Sequence, residues 1–182
     1  FITGFELELS TLKKLKKRLQ GPLLMDVHSL TLGRTACGAR FWKRPANWED
    51  WVAQADVVQM NEAEAVLLGE LEAPRRELLR EFASQVLKLG PRGVVLTRGP
   101  AGVLAVFQER GGEQVCEQAA ESPQQASDPT GCGDVFLAGL GAGVFTGKTL
   151  REAVDFATRA AGLNSRLQGV ESLEHLAELQ SD

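Results

Sequence analysis

Cysteine, long apolar stretches and surplus positive charge are all scarce in this sequence, and each shortage excludes a class of protein. Its 182 residues include three cysteines, Cys37, Cys116 and Cys132, and no Cys-x-x-Cys pair, so neither a zinc site nor a disulfide framework is indicated. No apolar run approaches the roughly 20 residues that span a bilayer, and no signal-peptide pattern opens the chain. The 24 acidic residues outnumber the 20 basic ones, which argues against nucleic-acid binding through bulk charge. We therefore expect a reduced, soluble, cytoplasmic protein that binds neither membranes nor nucleic acid.

The remaining composition is that of a globular protein, with 43% hydrophobic and 24% charged residues. The length predicts one domain, or one large piece of a domain, over residues 1–182. The chain opens at Phe1 instead of methionine, directly in an apolar segment. We therefore expect further N-terminal material to precede it.

Short apolar runs alternate along the chain with helical patterns. The runs predict strands over 22–27, 56–60 and 93–97, and a β-hairpin over 102–107 and 115–119. Apolar spacing and end signals predict helices over 11–20, 47–55 (with Asn47 as its cap), 62–68, 75–89, 133–145, 149–166 and 172–180. Loops are predicted over 122–127 and, as a functional loop or insertion, over 28–45. The alternation favours an α/β fold with a mostly parallel sheet flanked by helices on both faces.

Polar residues follow each predicted parallel strand. In open parallel sheets, ligands bind beyond the carboxyl ends of the strands. The positions there hold His28-Ser29, Asn61 with Glu64, and Arg98-Gly99. We expect these residues to share one crevice, with His28 as a polar residue of its lining.

The segment Asp128-Pro129-Thr130-Gly131-Cys132-Gly133-Asp134 carries the clearest chemical signal. Glycines just before a helix let successive backbone N–H groups, including that of Cys132, converge on an anion. Asp134 then lies beside the anion, which is unfavourable unless the carboxylate takes a proton or meets a metal, as phosphoryl transfer requires. The alternative is that Asp134 is only an acidic first-turn residue of a helix capped by Asp128 or Thr130.

Three motifs occur in the order found in one known family. Asp128–Gly139 resembles the C-terminal signature Asp-Thr-Thr-Gly-Ala-Gly-Asp of the ribokinase-like (PfkB) sugar and nucleoside kinases, with Pro129 in place of Thr and Cys132 in place of Ala. Asn61-Glu62-Ala63-Glu64 resembles the family's Asn-x-x-Glu motif, and Leu96–Gly102 its Thr-x-Gly-x-x-Gly nucleotide loop. The resemblance covers the C-terminal portion of the family. It implies a ribokinase-like three-layer sandwich whose N-terminal part and lid are absent from this chain.

The resemblance also implies catalytic roles. Asp134 would act as the base on the substrate hydroxyl, and the backbone of Gly131, Cys132 and Gly133 would form the anion hole for the transferred phosphoryl group. Asn61 and Glu64 would order magnesium and the phosphates, with Glu64 acting through metal-bound water.

Further residues are assigned to the nucleotide and to a cation on the same grounds. The expected ATP contacts are Thr97, Gly99 and Gly102. Helix position alone, and not a motif, puts Thr158 and Ala161 on the adenine side. Asp128 would help to hold a monovalent cation such as K⁺. The resemblance also implies a small sugar or nucleoside as acceptor and a homodimer in the full-length form.

These expectations lead to a main hypothesis, an ATP- and magnesium-dependent kinase that phosphorylates an alcohol group of a sugar or nucleoside. An alternative is a nucleotide-binding module without catalytic competence, because most acceptor contacts belong to the absent N-terminal half. A third option keeps the kinase chemistry but changes the acceptor to a vitamin precursor such as a hydroxymethylpyrimidine.

Overall fold

The computed structural model describes residues 8–121 and 128–167. The predicted loop over 122–127 and the predicted helix over 172–180 lie outside the described residues. The chain divides into two compact units, the first formed by residues up to 97 with 104–115, and the second by 98–103 with the residues from 116 onward. The expectation of one domain stays a prediction, and each unit is described by itself.

The described elements follow the predicted alternation. The helices are α1 (Leu9–Lys16), α2 (Trp48–Val52), α3 (Glu62–Gly69), α4 (Arg76–Leu87), α5 (Cys132–Phe145) and α6 (Leu150–Asn164). The strands are β1 (Leu24–Asp26), β2 (Leu32–Arg34), β3 (Arg40–Trp42), β4 (Val57–Asn61), β5 (Gly93–Thr97), β6 (Val103–Glu109) and β7 (Gly112–Gln118). A 3₁₀ turn covers Gly99–Ala101.

The strands form a five-stranded sheet with the order β1-β4-β5-β6-β7, of which β1, β4 and β5 lie wholly in the first unit. The central strands β4 and β5 are buried over most of their length, as their mostly β-branched and apolar residues require, and β4 also buries Gln59. Strand β4 runs parallel to both neighbours, pairing Gln59 with Asp26 of β1 and Asn61 with Thr97 of β5. The prediction of a mostly parallel sheet flanked by helices is confirmed, and its register aligns the carboxyl ends of β1, β4 and β5.

Helix α4 supplies one apolar face of the first unit. Its buried residues recur at helical spacing, at Leu79, Phe82, Ala83 and Val86. The ring of Phe82 lies against that of Trp48 on α2, with ring centroids 5.8 Å apart. These side chains belong to one core cluster with β4 and β5, which fixes α4 against the sheet.

Helices α5 and α6 pack closely in the second unit. A Cβ atom added to Gly143 would lie 2.7 Å from Cβ of Ala153, and one added to Gly139 would lie 3.1 Å from Cα of Ala157. Small residues on both helices therefore allow the two backbones to approach where larger side chains would collide.

Two sequence-based assignments are wrong in part. The segment 28–45 is not only a loop, because β2 and β3 pair in an antiparallel hairpin with Gly33 opposite Phe41. All three β3 residues are exposed, so the alternating pattern that reveals a half-buried strand is missing. Helix α1 ends at Lys16, earlier than the predicted 20, and Leu19 lies exposed beyond it.

The helix at 47–55 is confirmed as the shorter α2. The side chain of Asn47 forms no capping hydrogen bond there. In the described part of the chain, no helix combines the length and the apolar character needed to cross a membrane.

The half-buried carboxylate of Asp56 links α1 to the sheet. Its Oδ2 accepts hydrogen bonds from the Leu23 backbone N–H (2.6 Å) and from the Lys16 ammonium. Desolvation alone would raise the pKa of Asp56, but the Leu23 and Lys16 hydrogen bonds outweigh it and lower the pKa below its usual range. The ionised carboxylate thus stabilises the fold.

We expect Asp56→Asn to destabilise the chain by about 1 kcal/mol at pH 7. Because the pKa of Asp56 is lower in the folded than in the unfolded chain, its carboxylate stabilises the fold at pH values above the unfolded pKa of about 3.9. This stabilisation disappears as the pH falls through the pKa of the folded state. The difference between wild type and variant should therefore shrink in urea-unfolding curves recorded below about pH 4. Asp50→Asn, at an exposed aspartate of α2, is the control; equal effects of both variants would contradict the assignment.

Candidate active site

Asn61 and Glu64 form a reciprocal cap at the start of α3. The Asn61 side-chain oxygen accepts a hydrogen bond from the Glu64 backbone N–H (2.9 Å), and Glu64 Oε2 accepts one from the Asn61 backbone N–H (2.8 Å). Asn61 ends β4 and begins α3, so this capping box holds the strand-to-helix turn in one conformation. Both residues of the Asn-x-x-Glu motif thereby have a structural role.

The second oxygen of the Glu64 carboxylate faces His28. Glu64 is 1% exposed, and its Oε1 lies 2.7 Å from Nδ1 of His28. His28 is held from other sides as well: its backbone N–H donates to Asp26 Oδ1 (2.6 Å), and its ring meets the ring of Trp42 edge-on with centroids 6.0 Å apart. The structure therefore brings together His28, Asn61 and Glu64 of the predicted crevice.

Thr97 ends β5 beside Asn61 in the parallel register. Its hydroxyl lies 3.5 Å from the carbonyl oxygen of Met60, at the limit of a hydrogen bond. Thr97 thus stands at the same sheet edge as Asn61, as the sequence predicted.

The nucleotide-loop glycines that follow Thr97 belong to the second unit. Gly99 opens the 3₁₀ turn, and a Cβ atom added to it would meet open space. Gly102 has a φ of 86°, and a Cβ atom there would lie 2.0 Å from the carbonyl oxygen of Gln118. Position 102 therefore requires glycine because the backbone of β7 lies too close for a side chain. This reason does not depend on a ligand.

Gly131 turns the chain into α5. It adopts the left-handed conformation (φ 75°, ψ −3°) as the residue before Cys132, the first helical residue. Asp134 is exposed in the first turn of α5. Neither Asp128 nor Thr130 caps the helix, so that part of the alternative interpretation is wrong; instead, Asp128 Oδ1 accepts a hydrogen bond from the Thr130 backbone N–H (2.8 Å).

The Cys132 backbone N–H, predicted as an anion donor, donates to the Pro129 carbonyl oxygen in this structure (3.2 Å). An anion bound at the turn would share or replace this hydrogen bond. The Cys132 side chain also has contacts that the sequence did not reveal, because its sulfur lies 3.6 Å from the Ala161 carbonyl oxygen on α6.

Asn164, at the end of α6, holds the turn from the other side. Its side-chain amide is 5% exposed and donates to the Thr130 carbonyl oxygen (3.2 Å) and to the Cys132 sulfur (3.4 Å). The Asp128 backbone N–H donates to the carbonyl oxygen of Ser165, the next residue (3.1 Å). Sequence reasoning missed Asn164, because a polar residue at a helix end carries no signal of a distant partner.

The two residues predicted to line the adenine side lie further back on α6. Thr158 is 5% exposed, and its hydroxyl donates to the Val154 carbonyl oxygen of the preceding turn (2.8 Å). Ala161 is half-buried and contributes its carbonyl oxygen to the Cys132 thiol. In this conformation neither offers a polar side-chain group to a ligand.

The carboxylates fit a cation to different degrees. Hydrogen bonds from the Thr130 side chain and backbone lower the pKa of the half-buried Asp128, which keeps an anionic oxygen available to a cation. Glu64 is buried and both of its oxygens have protein partners, so it fits Mg²⁺ only through intervening water, which Mg²⁺ commonly retains. Among residues 8–121 and 128–167, no three His, Cys, Asp or Glu side chains are grouped as a metal cluster.

The sequence profile of the pfkB family carbohydrate kinases matches residues 39–175. The chain belongs to this family. The ribokinase of Schizosaccharomyces pombe is 26% identical over 179 residues, covering 94% of this chain and 55% of the relative. The ribokinase of Arabidopsis thaliana is 29% identical over 114 residues, covering 63% of this chain and 29% of the relative.

Solved structures show the same fold. A Thermotoga maritima ribokinase superposes with a TM-score of 0.74 at 22% identity, covering all of this chain and 56% of that one. Arabidopsis thaliana ribokinase, solved in complex with ribose and ATP, gives a TM-score of 0.76 at 21% identity, covering all of this chain and 55% of that one. The chain therefore has the ribokinase fold of its pfkB family, and it spans about half the length of these relatives.

We expect Asn164→Ala to destabilise the second unit by about 1 kcal/mol, since it removes the hydrogen bond from the buried Asn164 amide to the Thr130 carbonyl oxygen. The half-buried Cys132 thiol should also react faster with a thiol reagent, by about tenfold, because a looser turn opens more often. The rate is measured in a Cys37→Ser background, which removes an exposed thiol.

Asn47→Ala is the matched control, because Asn47 caps α2 without a side-chain hydrogen bond. It should change neither the stability nor the reactivity of Cys132. An unchanged Cys132 rate in Asn164→Ala would show that Asn164 does not hold the turn.

Proposed function

We propose that the chain carries the phosphoryl-transfer centre of an ATP-dependent kinase that acts on an alcohol group of a sugar or nucleoside. The observation that carries the proposal is the exposed Asp134 in the first turn of α5, a helix that begins directly after the left-handed Gly131. The chain that presents it belongs to the pfkB family carbohydrate kinases. A carboxylate at that place can accept the proton of an attacking hydroxyl.

In this proposal the backbone of Gly131, Cys132 and Gly133 stabilises charge on the migrating phosphoryl group. The start of a helix favours negative charge, because its first N–H groups lack intrahelical acceptors and its dipole is positive there. The 14 residues of α5 and the support from Asn164 and Ala161 fix these groups before the ligand arrives, which is the condition for electrostatic catalysis. Asp134 then holds the acceptor hydroxyl and takes its proton.

The donor contacts are proposed from the motif resemblance. They comprise Asn61, Glu64, Thr97, Gly99 and Gly102, with Thr158 and Ala161 on the adenine side. The complex of Arabidopsis thaliana ribokinase with ribose and ATP supports ATP as donor and a sugar as acceptor.

We extend the proposal to the cations on the same resemblance. Mg²⁺, when bound, would neutralise charge on the donor phosphates, with Glu64 reaching it through water, and Asp128 would help to hold K⁺. A cytoplasmic location and a homodimer of the full-length form complete the proposal.

Asp134→Asn is expected to lower kcat by about 10³-fold or more and to leave the Kd for ATP within about threefold, because the amide cannot accept the proton. The measurements are phosphate transfer to a panel of sugars and nucleosides, and calorimetry of ATP binding, both with the full-length protein.

The control is Asp50→Asn, which changes an exposed acidic residue in the first turn of α2 and should retain wild-type kcat. A wild-type rate in Asp134→Asn would refute the assignment of Asp134 as the base.

A second candidate function is a nucleotide-binding module that does not transfer phosphate. Two of the three motifs that carry the resemblance, Asn61–Glu64 and Leu96–Gly102, concern the nucleotide and not the acceptor, and this favours the module. Calorimetry of ATP binding and the acceptor panel, both applied to the 182-residue chain, separate the two. ATP binding without transfer supports the module for this chain, whereas transfer by the chain alone eliminates it.

A further inference from the structure

His28 and Glu64 are joined by a short contact that the motif resemblance does not assign. The Glu64 side chain is 2% exposed, the His28 side chain is 52% exposed, and Oε1 lies 2.7 Å from Nδ1. An ionised carboxylate can only accept a hydrogen bond, so the imidazole donates through Nδ1. The contact therefore connects a buried carboxylate to a ring that reaches the surface.

The Glu64 carboxylate is held at both oxygens. Its Oε2 accepts a hydrogen bond from the Asn61 backbone N–H within the capping box (2.8 Å). With this hydrogen bond alone, the carboxylate could still rotate about Oε2. The bond from His28 to Oε1 removes this freedom. A buried carboxylate without a second donor would also be costly to keep ionised.

His28 is itself held firmly enough to act as a support. Asp26 bridges two strands, because its Oδ1 accepts the His28 backbone N–H and its Oδ2 accepts the side-chain amide of Gln59 on β4 (3.0 Å). The edge contact with Trp42 limits the movement of the ring. Hydrogen bonds thus connect Gln59 of β4 to Asp26, Asp26 to the His28 backbone, and the His28 ring to Glu64.

We infer that His28 is a positioning residue for Glu64, setting the orientation in which that carboxylate meets the hydrated magnesium and the phosphates of the donor. The inference rests on the proposed function, because it assumes that Glu64 serves the donor site. It assigns to His28 a role through Nδ1 and Glu64, without direct contact with substrate.

Three substitutions separate this role from others. In His28→Asn the side-chain amide nitrogen can occupy the place of Nδ1 and donate a hydrogen bond to Glu64. In His28→Gln the amide nitrogen lies nearer the place of Nε2. In His28→Ala the side chain has no donor. With the full-length protein, the Kd for ATP is measured by calorimetry with and without Mg²⁺, and kcat and KM for ATP are measured by steady-state kinetics.

We expect the tightening of ATP binding by Mg²⁺ to fall by about tenfold in His28→Ala and His28→Gln, since one charge-assisted hydrogen bond is lost. His28→Asn should remain within about threefold of wild type. KM for ATP should follow the Kd, with a smaller change in kcat. A purely structural role would instead lower the folded fraction, seen in thermal unfolding, and leave Kd and KM of the folded protein unchanged.

Each other outcome overturns the inference in a distinguishable way. Wild-type values in all three variants would show that His28 has no role in donor binding. If His28→Gln kept the tightening of ATP binding by Mg²⁺ and His28→Asn lost it, His28 would contact the ligand directly through Nε2. If His28→Ala fails to fold, the comparison of the Asn and Gln variants still decides. Absence of ATP binding in the wild type would refute the proposed function and the inference together.

Discussion

The buried carboxylate of Glu64 is the constraint on which the first unit's sheet edge depends. One of its oxygens closes the turn from β4 into α3. The other accepts a hydrogen bond from His28, which lies two residues beyond the end of β1. Because β1 and β4 are parallel and in register, these two chain segments leave the sheet at the same edge and can share one acceptor. The carboxylate thus holds together the chain segments that leave two neighbouring strands, and through His28 it is connected to the protein surface.

The second unit solves a similar problem by other means. Its turn before α5 contains Pro129 and Gly131, which set the backbone path but supply no side-chain hydrogen bonds. The missing stabilisation comes from α6, whose Asn164 and Ala161 contact the turn from the side. Each helix start thus has one polar contact from another element, His28 in the first unit and Asn164 in the second, and both of these residues lie outside the motifs that would be recognised in the sequence.

Much of the fold could be predicted because local physics determines it. The five-residue run Gly93–Thr97 is β-branched and bounded by glycines, and it forms β5 with the predicted limits. The exposed hairpin of β2 and β3 could not be found, since the close fit of Phe41 over Gly33 depends on pairing and not on alternation. Motif residues such as Asn61 and Asp134 were identifiable as candidates, whereas Asn164 and the bond between His28 and Glu64 require knowledge of which distant elements meet.

Helix α6 has a fixed start and a fixed end. Thr149 and Glu152 form a capping box at its first turn, and Asn164 must face the Thr130 carbonyl at its last. An α-helix rotates by about 100° per residue, so inserting or deleting a single residue within the 15 residues of α6 would swing the amide away from the turn. A length change that preserves the helical phase would still move the amide along the helix axis, by about 1.5 Å per residue. Related sequences that retain this asparagine should therefore conserve the spacing between positions 149 and 164.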